Sequence, residues 1–461
     1  MLSPFFYFTF ALDMKNQEDN YKFLTQGPIH KVVLTMAVPT IISMLVTSLY
    51  NIVDTYFVGQ LNTQSTAAVG IVFSVMFFIN AFGFFFGHGS GNFIATELGA
   101  KRHKSAEKMA STGFFFSFFF GSLLMVGGLL LIKPLSLWLG STPTILPYTE
   151  KYLGVILLGA PFMTSSLTLN NQMRLQGNAR FAMYGIVTGA ILNCVFDPIF
   201  IFLFDMGIMG AAIATVLGQI ISFLILLTLV RRPENISIHW KNFSPSWAAF
   251  KEIFYGGSPS LSRQGLGCLA TITLNLSAGV YGDAAIAAMS IVNRITMFVM
   301  SAVVGLGQGF QPLCGFCLGA KLYGRMKQAY WFTIKVGTVF LIICGAAGIV
   351  FSDGVIALFR DDPEVVKIGS VALIWQLATY PINAFSMTSN MMMQVCRKPW
   401  RANILAASRR GLFFVPLIFI LPYFFGITGV EMCQSVSDIL ALLLTIPIMI
   451  YSFREFNSET K

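Results

Sequence analysis

The stretch Gly87-His-Gly-Ser-Gly-Asn-Phe-Ile-Ala-Thr-Glu-Leu-Gly-Ala-Lys101 returns 220 residues later as Gly307-Gln-Gly-Phe-Gln-Pro-Leu-Cys-Gly-Phe-Cys-Leu-Gly-Ala-Lys321. Both copies carry glycine at their first and third positions, and both end on Leu-Gly-Ala-Lys. A chain of 461 residues that repeats itself at this offset is predicted to fold as two similar halves.

The repeat extends without a gap from residue 39 to residue 101. It aligns Pro39 with Pro259, and each proline lies about ten residues into a long apolar stretch. Proline removes a backbone hydrogen bond and kinks a helix. We interpret Pro39 and Pro259 as hinges, and a static kink that only shapes packing is the alternative.

The composition indicates a membrane protein. Hydrophobic residues make up 55% of the chain, charged residues 11%, and the mean hydropathy is +0.72. Soluble domains are about a quarter charged. Apolar stretches of roughly 20 to 30 residues can each cross a hydrocarbon core of about 30 Å. Twelve such spans are predicted, over residues 30–58, 66–96, 108–132, 144–172, 181–203, 208–230, 250–279, 285–313, 328–352, 366–394, 402–424 and 427–452.

The predicted fold is therefore an all-α membrane protein with twelve transmembrane helices in two six-helix repeats. Six helices each give both repeats the same orientation, and transporters built this way bind substrate between or within the halves. The predicted segments are a cytoplasmic tail 1–27, an N-lobe 28–232, a cytoplasmic linker 233–248, a C-lobe 249–453 and a tail 454–461. We also expect Met14, which begins a polar stretch, to be the native start.

The net charge of +10 could indicate a nucleic-acid partner, but the positive residues sort by loop. With the N-terminus inside, 21 Lys and Arg side chains fall in inner segments and four in outer segments. This is the positive-inside bias of membrane proteins. It predicts that both termini are cytoplasmic, and it favours the lipid bilayer over nucleic acid as the partner.

Two acidic residues of the first half lie inside apolar spans, where a charge is costly and needs a reason. Asp54 lies near the outer end of span 1, and Asp197 lies on span 5, where Asn193 shares its helix face. Thr215 lies at similar depth on span 6. We expect these four to meet and to bind a coupling ion, H⁺ or Na⁺. Acids solvated at the outer interface, or satisfied by hydrogen bonds, are the alternative.

The second half carries a different polar set. Leu274 stands at the position that matches Asp54, and Asp438 lies near the middle of span 12. Arg263 and Arg294 reach a similar depth, so we expect Asp438 to form a buried ion pair with one of them, most simply a structural one.

Polar side chains at the inner ends of spans 4 and 10 could line an inner vestibule for the substrate. They are Asn170, Asn171, Gln172, Arg174 and Gln394. Capping of the loops at these helix ends is the alternative interpretation.

No enzyme motif accompanies these residues. The sequence contains no GxxxxGK[ST], HExxH or GxSxG pattern, so neither an enzyme nor an ATP-driven pump is favoured. Cys314 and Cys317 form a single CxxC at a helix end without a second pair, so neither a bound metal nor a cofactor is expected. The 45 Phe and 22 Met residues suit an adaptable cavity for flat organic cations.

Several motifs occur together in one order and spacing. They are Pro39, Val53-Asp54-Thr55 before Gly59, Leu98-Gly-Ala-Lys101, Asn193-x3-Asp197-Pro198 and Gly210-Ala-Ala-Ile-Ala-Thr215. Through them residues 28–453 resemble the multidrug and toxic compound extrusion (MATE) family. The stretches 258–264 and 291–294 look like its bacterial branch with DinF-like and MepA-like exporters.

The resemblance implies a V-shaped, monomeric antiporter of the bacterial inner membrane, which exports small organic molecules by alternating access. It also implies that Asp54, Asn193, Asp197 and Thr215 match the first-lobe cation site of the family. The alternative is a lipid-linked oligosaccharide flippase of related architecture. Such a protein would line its cavity with arginines that bind pyrophosphate, and the candidates here are Arg263, Arg294, Arg409 and Arg410.

Overall fold

The computed structural model describes residues 17–360 and 362–458, so the predicted start at Met14 lies outside the described residues. Twelve long helices follow one another within these ranges. We number them α1 (Ile29–Gly59), α2 (Thr63–Gly99), α3 (His103–Leu130), α4 (Leu146–Leu175), α5 (Ala179–Leu203), α6 (Ile208–Leu229), α7 (Trp247–Gly279), α8 (Asp283–Gly319), α9 (Tyr323–Val350), α10 (Pro363–Val395), α11 (Pro399–Phe425) and α12 (Ile427–Ser458).

Eleven of these helices are long and apolar enough to cross a membrane. The remaining one, α7, is 33 residues long and more polar, with Arg263 in its middle. In the internal repeat α7 corresponds to α1, as the alignment of Pro259 with Pro39 shows. The predicted fold class, an all-α membrane protein of two six-helix repeats, is confirmed.

Shorter segments complete the described chain. A helix at Gln17–Gln26 precedes α1, and helices at Ile132–Trp138 and Ser352–Phe359 follow α3 and α9. Between α6 and α7 the chain packs back on the N-lobe, where the backbone N–H of Ile236 donates to Gln176 at 2.8 Å. Helix α12 continues to Ser458, so its last turns extend into the segment predicted as a tail.

The repeated glycines set how closely the helices approach. The first glycine of each copy packs within its own lobe, Gly87 against Asn171 and Gly307 against Met391. The third glycine packs across the lobes. A β-carbon at Gly309 would lie 2.4 Å from the α-carbon of Ala37, because α1 and α8 touch there by their backbones.

The second interlobe contact is the symmetry counterpart of the first. Here α2 meets α7, and a β-carbon at Gly89 would lie 2.2 Å from the carbonyl oxygen of Ile253. Further along, Gly99 meets Phe316 of α8. The two lobes are thus joined at the end of the bundle that carries both Leu-Gly-Ala-Lys copies, and a cavity lies between them on the other side of this contact layer.

Candidate functional site

The first site lies inside the N-lobe, where α5 and α6 pack closely. Gly189 and Gly218 face each other there, and a β-carbon on either would lie 2.8 Å from the carbonyl oxygen of the other. This approach lets the amide nitrogen of Asn193 donate to Thr215 Oγ1 at 3.3 Å and to Asp197 Oδ1 at 3.4 Å. All three residues are buried.

Asp54 reaches this cluster from α1, which packs against α5. Its carboxylate lies close enough to Asp197 for the two charges to interact. The structure therefore brings together the four residues that the sequence singled out. It adds Tyr50 and Tyr152, which both lie within electrostatic range of the two carboxylates. Tyr50 lies one helical turn before Asp54, and this i, i+4 spacing was the available signal for it.

The cluster contains more oxygen acceptors than donors. Asp54 Oδ1, Asn193 Oδ1, Asp197 Oδ2 and the Tyr152 hydroxyl are buried without a hydrogen-bond partner among the described residues. Buried polar atoms normally have a partner. Oxygen atoms from carboxylate, amide and hydroxyl groups are the donors that hard cations prefer. This set fits Na⁺, and the neighbouring carboxylates also fit a bound proton.

The C-lobe holds a compact ion pair. Asp438 is 1% exposed and accepts hydrogen bonds from Arg409 at 2.7 and 3.3 Å, from Gln434 at 2.7 Å and from Asn383 at 2.8 Å. Both carboxylate oxygens are thus satisfied by charge-assisted hydrogen bonds.

The predicted partner of Asp438 was wrong. Arg263 donates instead to Asn390 at 3.0 Å, and Arg294 is exposed. Position along the sequence did not fix the direction in which each of these side chains points. Arg409 faces Asp438 because it lies in a wider, π-helical turn of α11, residues 408–412, packed against α12.

The ion pair occupies the counterpart of the N-lobe site. A small pocket there is lined by Leu274, Gln434, Arg409 and Arg410. By the internal repeat, Leu274 matches Asp54, and Gln434 matches Thr215 with a shift of 219. The N-lobe site therefore contains buried side-chain oxygens without hydrogen-bond partners, and the equivalent place in the C-lobe contains guanidinium groups.

The side chains predicted to line a vestibule divide into two groups. Asn170 and Arg174 do line the interlobe cavity, whereas Asn171, Gln172 and Gln394 do not. Asn171 accepts from Arg174 at 2.7 Å, Gln172 donates to Ser90 at 2.9 Å, and Gln394 donates to Ser260 at 2.8 Å. For these three buried amides the prediction was wrong, because each finds a partner on its own or a neighbouring helix.

A polar network closes the cavity at the interlobe contact. Arg174 of α4 donates to the carbonyl oxygen of Gln308 and, at 3.1 Å, to Gln311, both on α8. Arg174 also lies 3.2 Å from His88 Nε2. A guanidinium only donates, so Nε2 accepts, and the proton on Nδ1 points to Ser260 Oγ at 2.9 Å on α7. The network therefore joins the two lobes.

The two prolines lie at the same contact layer. Pro39 is flanked by Ala37 and Ile41, which touch α8, and Pro259 follows Gly257, which touches α2. Both lie inside continuous helices. The cavity-lining residues of α1 all follow Pro39 in the chain.

The interlobe cavity measures about 420 Å³. Its apolar wall comes from Met and Phe side chains of both lobes, and its polar wall includes four arginines. The lining includes Met44, Tyr50, Phe77, Met297, Arg174, Arg263, Arg409 and Arg410.

Comparison with known proteins agrees with this architecture. The MatE family matches residues 39–199 and 259–420, one segment in each repeat. The multidrug export protein MepA of Staphylococcus aureus (strain NCTC 8325 / PS 47) is 26% identical over 441 residues, 95% of this chain and 97% of that protein.

Solved structures are similar over the same length. One is the outward-facing conformation of a multidrug resistance MATE family transporter of the MOP superfamily, with a TM-score of 0.90 at 26% identity, covering 94% of this chain and 98% of that chain. Another is a MOP superfamily transporter from Pyrococcus furiosus, described as having a binding pocket of reverse polarity and a different function. It has a TM-score of 0.89 at 26% identity and covers 96% and 99% of the two chains. The resemblance to MATE transporters of the MepA type is confirmed.

Proposed function

The chain belongs to the MatE family, and we propose that it exports organic compounds in exchange for an inward flow of protons or sodium ions. The observation that carries this proposal is the cluster of buried oxygens without partners around Asp54 and Asp197. The multidrug export by the MepA relatives supports the direction and the kind of cargo.

The ion acts on α1 in this proposal. Asp54 is contributed by α1, whereas Asn193, Asp197 and Thr215 come from α5 and α6. A cation bound among them reduces the repulsion between the two carboxylates, and so it draws the Gly59 end of α1 toward α5 and α6. One elementary charge moving down 100 mV supplies about 2.3 kcal/mol.

Pro39 converts this pull into a change of the cavity. Proline cannot donate the backbone hydrogen bond that would stiffen α1 at this point. The part of α1 beyond Pro39 carries both Asp54 and cavity-lining residues from Thr40 to Asn51. Bending at Pro39 therefore moves the cavity wall as the ion binds, which expels the cargo.

Location and assembly follow from the same proposal. The chain is a multi-pass protein of the bacterial cell membrane that acts as a transporter and not as an enzyme. Both termini are placed in the cytoplasm on the basis of the charge distribution. The cavity then lies on the outer side of the interlobe contact, in the outward-facing state, and a monomer contains the complete pathway.

The test is efflux from proteoliposomes that contain a fluoroquinolone, with separate H⁺ and Na⁺ gradients. Asp54→Asn and Asp197→Asn are each expected to abolish gradient-driven efflux while the protein stays monodisperse. Asp353→Asn is the matched control, because Asp353 is an exposed acid on the short helix Ser352–Phe359, which lines neither pocket. Efflux at the native rate in either site variant would rule out this site.

A further inference from the structure

The charge of the cavity wall is the first observation. Four arginines line the cavity, and among the residues that the structure describes the lining includes no Asp or Glu. The N-lobe acids lie behind Tyr50 and Asn193. One guanidinium, that of Arg409, is neutralised by Asp438. Within the described ranges, the other three guanidinium groups form no ion pair with a carboxylate, although Asp438 also lies within electrostatic range of Arg410.

Two of these three arginines have neutral hydrogen-bond partners, and the third has none among the described residues. Arg174, 2% exposed, donates to amide and carbonyl oxygens of both lobes. Arg263 donates to Asn390 at 3.0 Å. Arg410 makes no hydrogen bond or ion pair with any residue in the described part of the chain.

Arg410 and Arg263 lie on neighbouring parts of one wall. The Arg410 Nη1 atom would be 3.5 Å from a β-carbon at Gly267, and Gly267 lies one helical turn after Arg263 on α7. A guanidinium offers two parallel N–H groups that fit a carboxylate or a phosphate. The free fork of Arg410 therefore faces the cavity next to a second cation.

Removal from water makes unpaired charges costly, and low-dielectric walls strengthen their field. An anionic group in this cavity would compensate the three guanidinium groups, whereas an organic cation would be repelled by them. Met and Phe residues on the remaining wall accept an apolar body of varied shape.

Building on the export function proposed above, we propose that the cargo is an amphipathic organic anion or zwitterion, whose carboxylate or phosphate binds Arg410 and Arg263. Its apolar part lies against Met44, Phe77 and Met297. An anionic cargo differs from the cationic substrate expected from the sequence, an expectation that rested on the Met and aromatic content alone. Met and aromatic side chains can pack against a cargo of either charge, whereas the arginines favour an anionic one.

The test is equilibrium binding to the purified full-length protein in a non-ionic detergent, without any ion gradient. The probes are a rhodamine dye that carries a free carboxylate and the methyl ester of the same dye. They share one ring system and differ in a single negative charge. The free acid is expected to bind about tenfold more tightly, as a charge-assisted hydrogen-bonded pair contributes.

Variants assign the effect to the wall. Arg410→Gln and Arg263→Gln should each reduce the preference for the acid while retaining affinity for the ester, which also shows that the cavity is intact. Arg294→Gln is the matched control, since it removes the same charge from an exposed position of the same lobe, and it should leave the preference unchanged.

Competition distinguishes two sources of the anionic group. A short-chain phosphatidic acid that displaces the dye, where the matching phosphatidylcholine does not, would assign the site to a lipid phosphate. Displacement only by soluble aromatic carboxylates would assign it to organic acids. Equal or tighter binding of the ester to the native protein, with no change in Arg410→Gln, would overturn the proposal. Since no gradient is used, this result is independent of whether Asp54 and Asp197 couple transport to an ion.

Discussion

Neutralising Asp438 alone should destabilise the protein strongly. Asp438→Asn removes the counter-charge of Arg409 and one of the two acceptor oxygens, which Arg409 contacts at 2.7 and 3.3 Å. The Arg409 side chain is only 20% exposed, and Arg410 lies beside it. Breaking a buried ion pair on one side costs about 3 to 5 kcal/mol, because the remaining charge stays buried without compensation. We expect the lower end of that range, since Arg409 lines the cavity.

The double variant Asp438→Asn/Arg409→Gln removes both charges and leaves two amides that can bond to each other. It should be more stable than Asp438→Asn, by about 2 kcal/mol, since the orphaned charge is gone. The measurement is the apparent Tm of the purified protein by intrinsic fluorescence, at one heating rate and in one detergent. Asp353→Asn controls for the loss of a surface acid.

The prediction is tested by asking whether the Tm losses of the two single variants, Asp438→Asn and Arg409→Gln, add up in the double variant. If the Tm loss of the double variant equals the sum of the two single losses, the residues do not act as a pair, and the stabilising role assigned to Asp438 is refuted. If Asp438→Asn folds with native Tm and transports nothing, the aspartate acts in transport instead.

Two further predictions concern the interlobe contact. Gly309→Ala places a methyl group 2.4 Å from the Ala37 α-carbon, so the apparent stability should fall by about 1 to 3 kcal/mol, as in other overpacked contacts. Gly127→Ala, in a helix position with open space around it, should be neutral or stabilising, and an equal loss in both would contradict this account. Pro39→Ala restores a backbone donor inside α1 and should slow gradient-driven efflux without weakening dye binding; efflux that is unchanged would remove the hinge from the mechanism.

The fold was readable from the sequence because two strong constraints act on it. Each crossing of a membrane requires about 20 apolar residues in a helix. The repeated glycines are required wherever two backbones touch, as at Gly89 and Gly309. Both constraints leave a pattern along the chain, so the number of spans and the two-lobe arrangement could be predicted.

The sites were readable only in part. Asp54 and Asp197 stand out because a membrane-embedded acid is rare and costly. Tyr50 and Tyr152 do not, since tyrosine is common in apolar helices. The partner of Asp438 was missed for a geometric reason: sequence position gives the depth of a side chain in the membrane, while the π-helical turn at Arg409 changes the direction in which it points.

The two lobes share one frame and differ in how their equivalent pockets are charged. The C-lobe pocket contains its own cation, the Arg409 guanidinium, which is paired with Asp438. The N-lobe pocket has carboxylates and free oxygens, and in the proposed mechanism its charge changes whenever an ion enters or leaves. Only one lobe can then respond to the ion. Because Asp54 and part of the cavity wall lie on the same helix beyond Pro39, that response reaches the cargo through α1 itself, with no separate relay between the lobes.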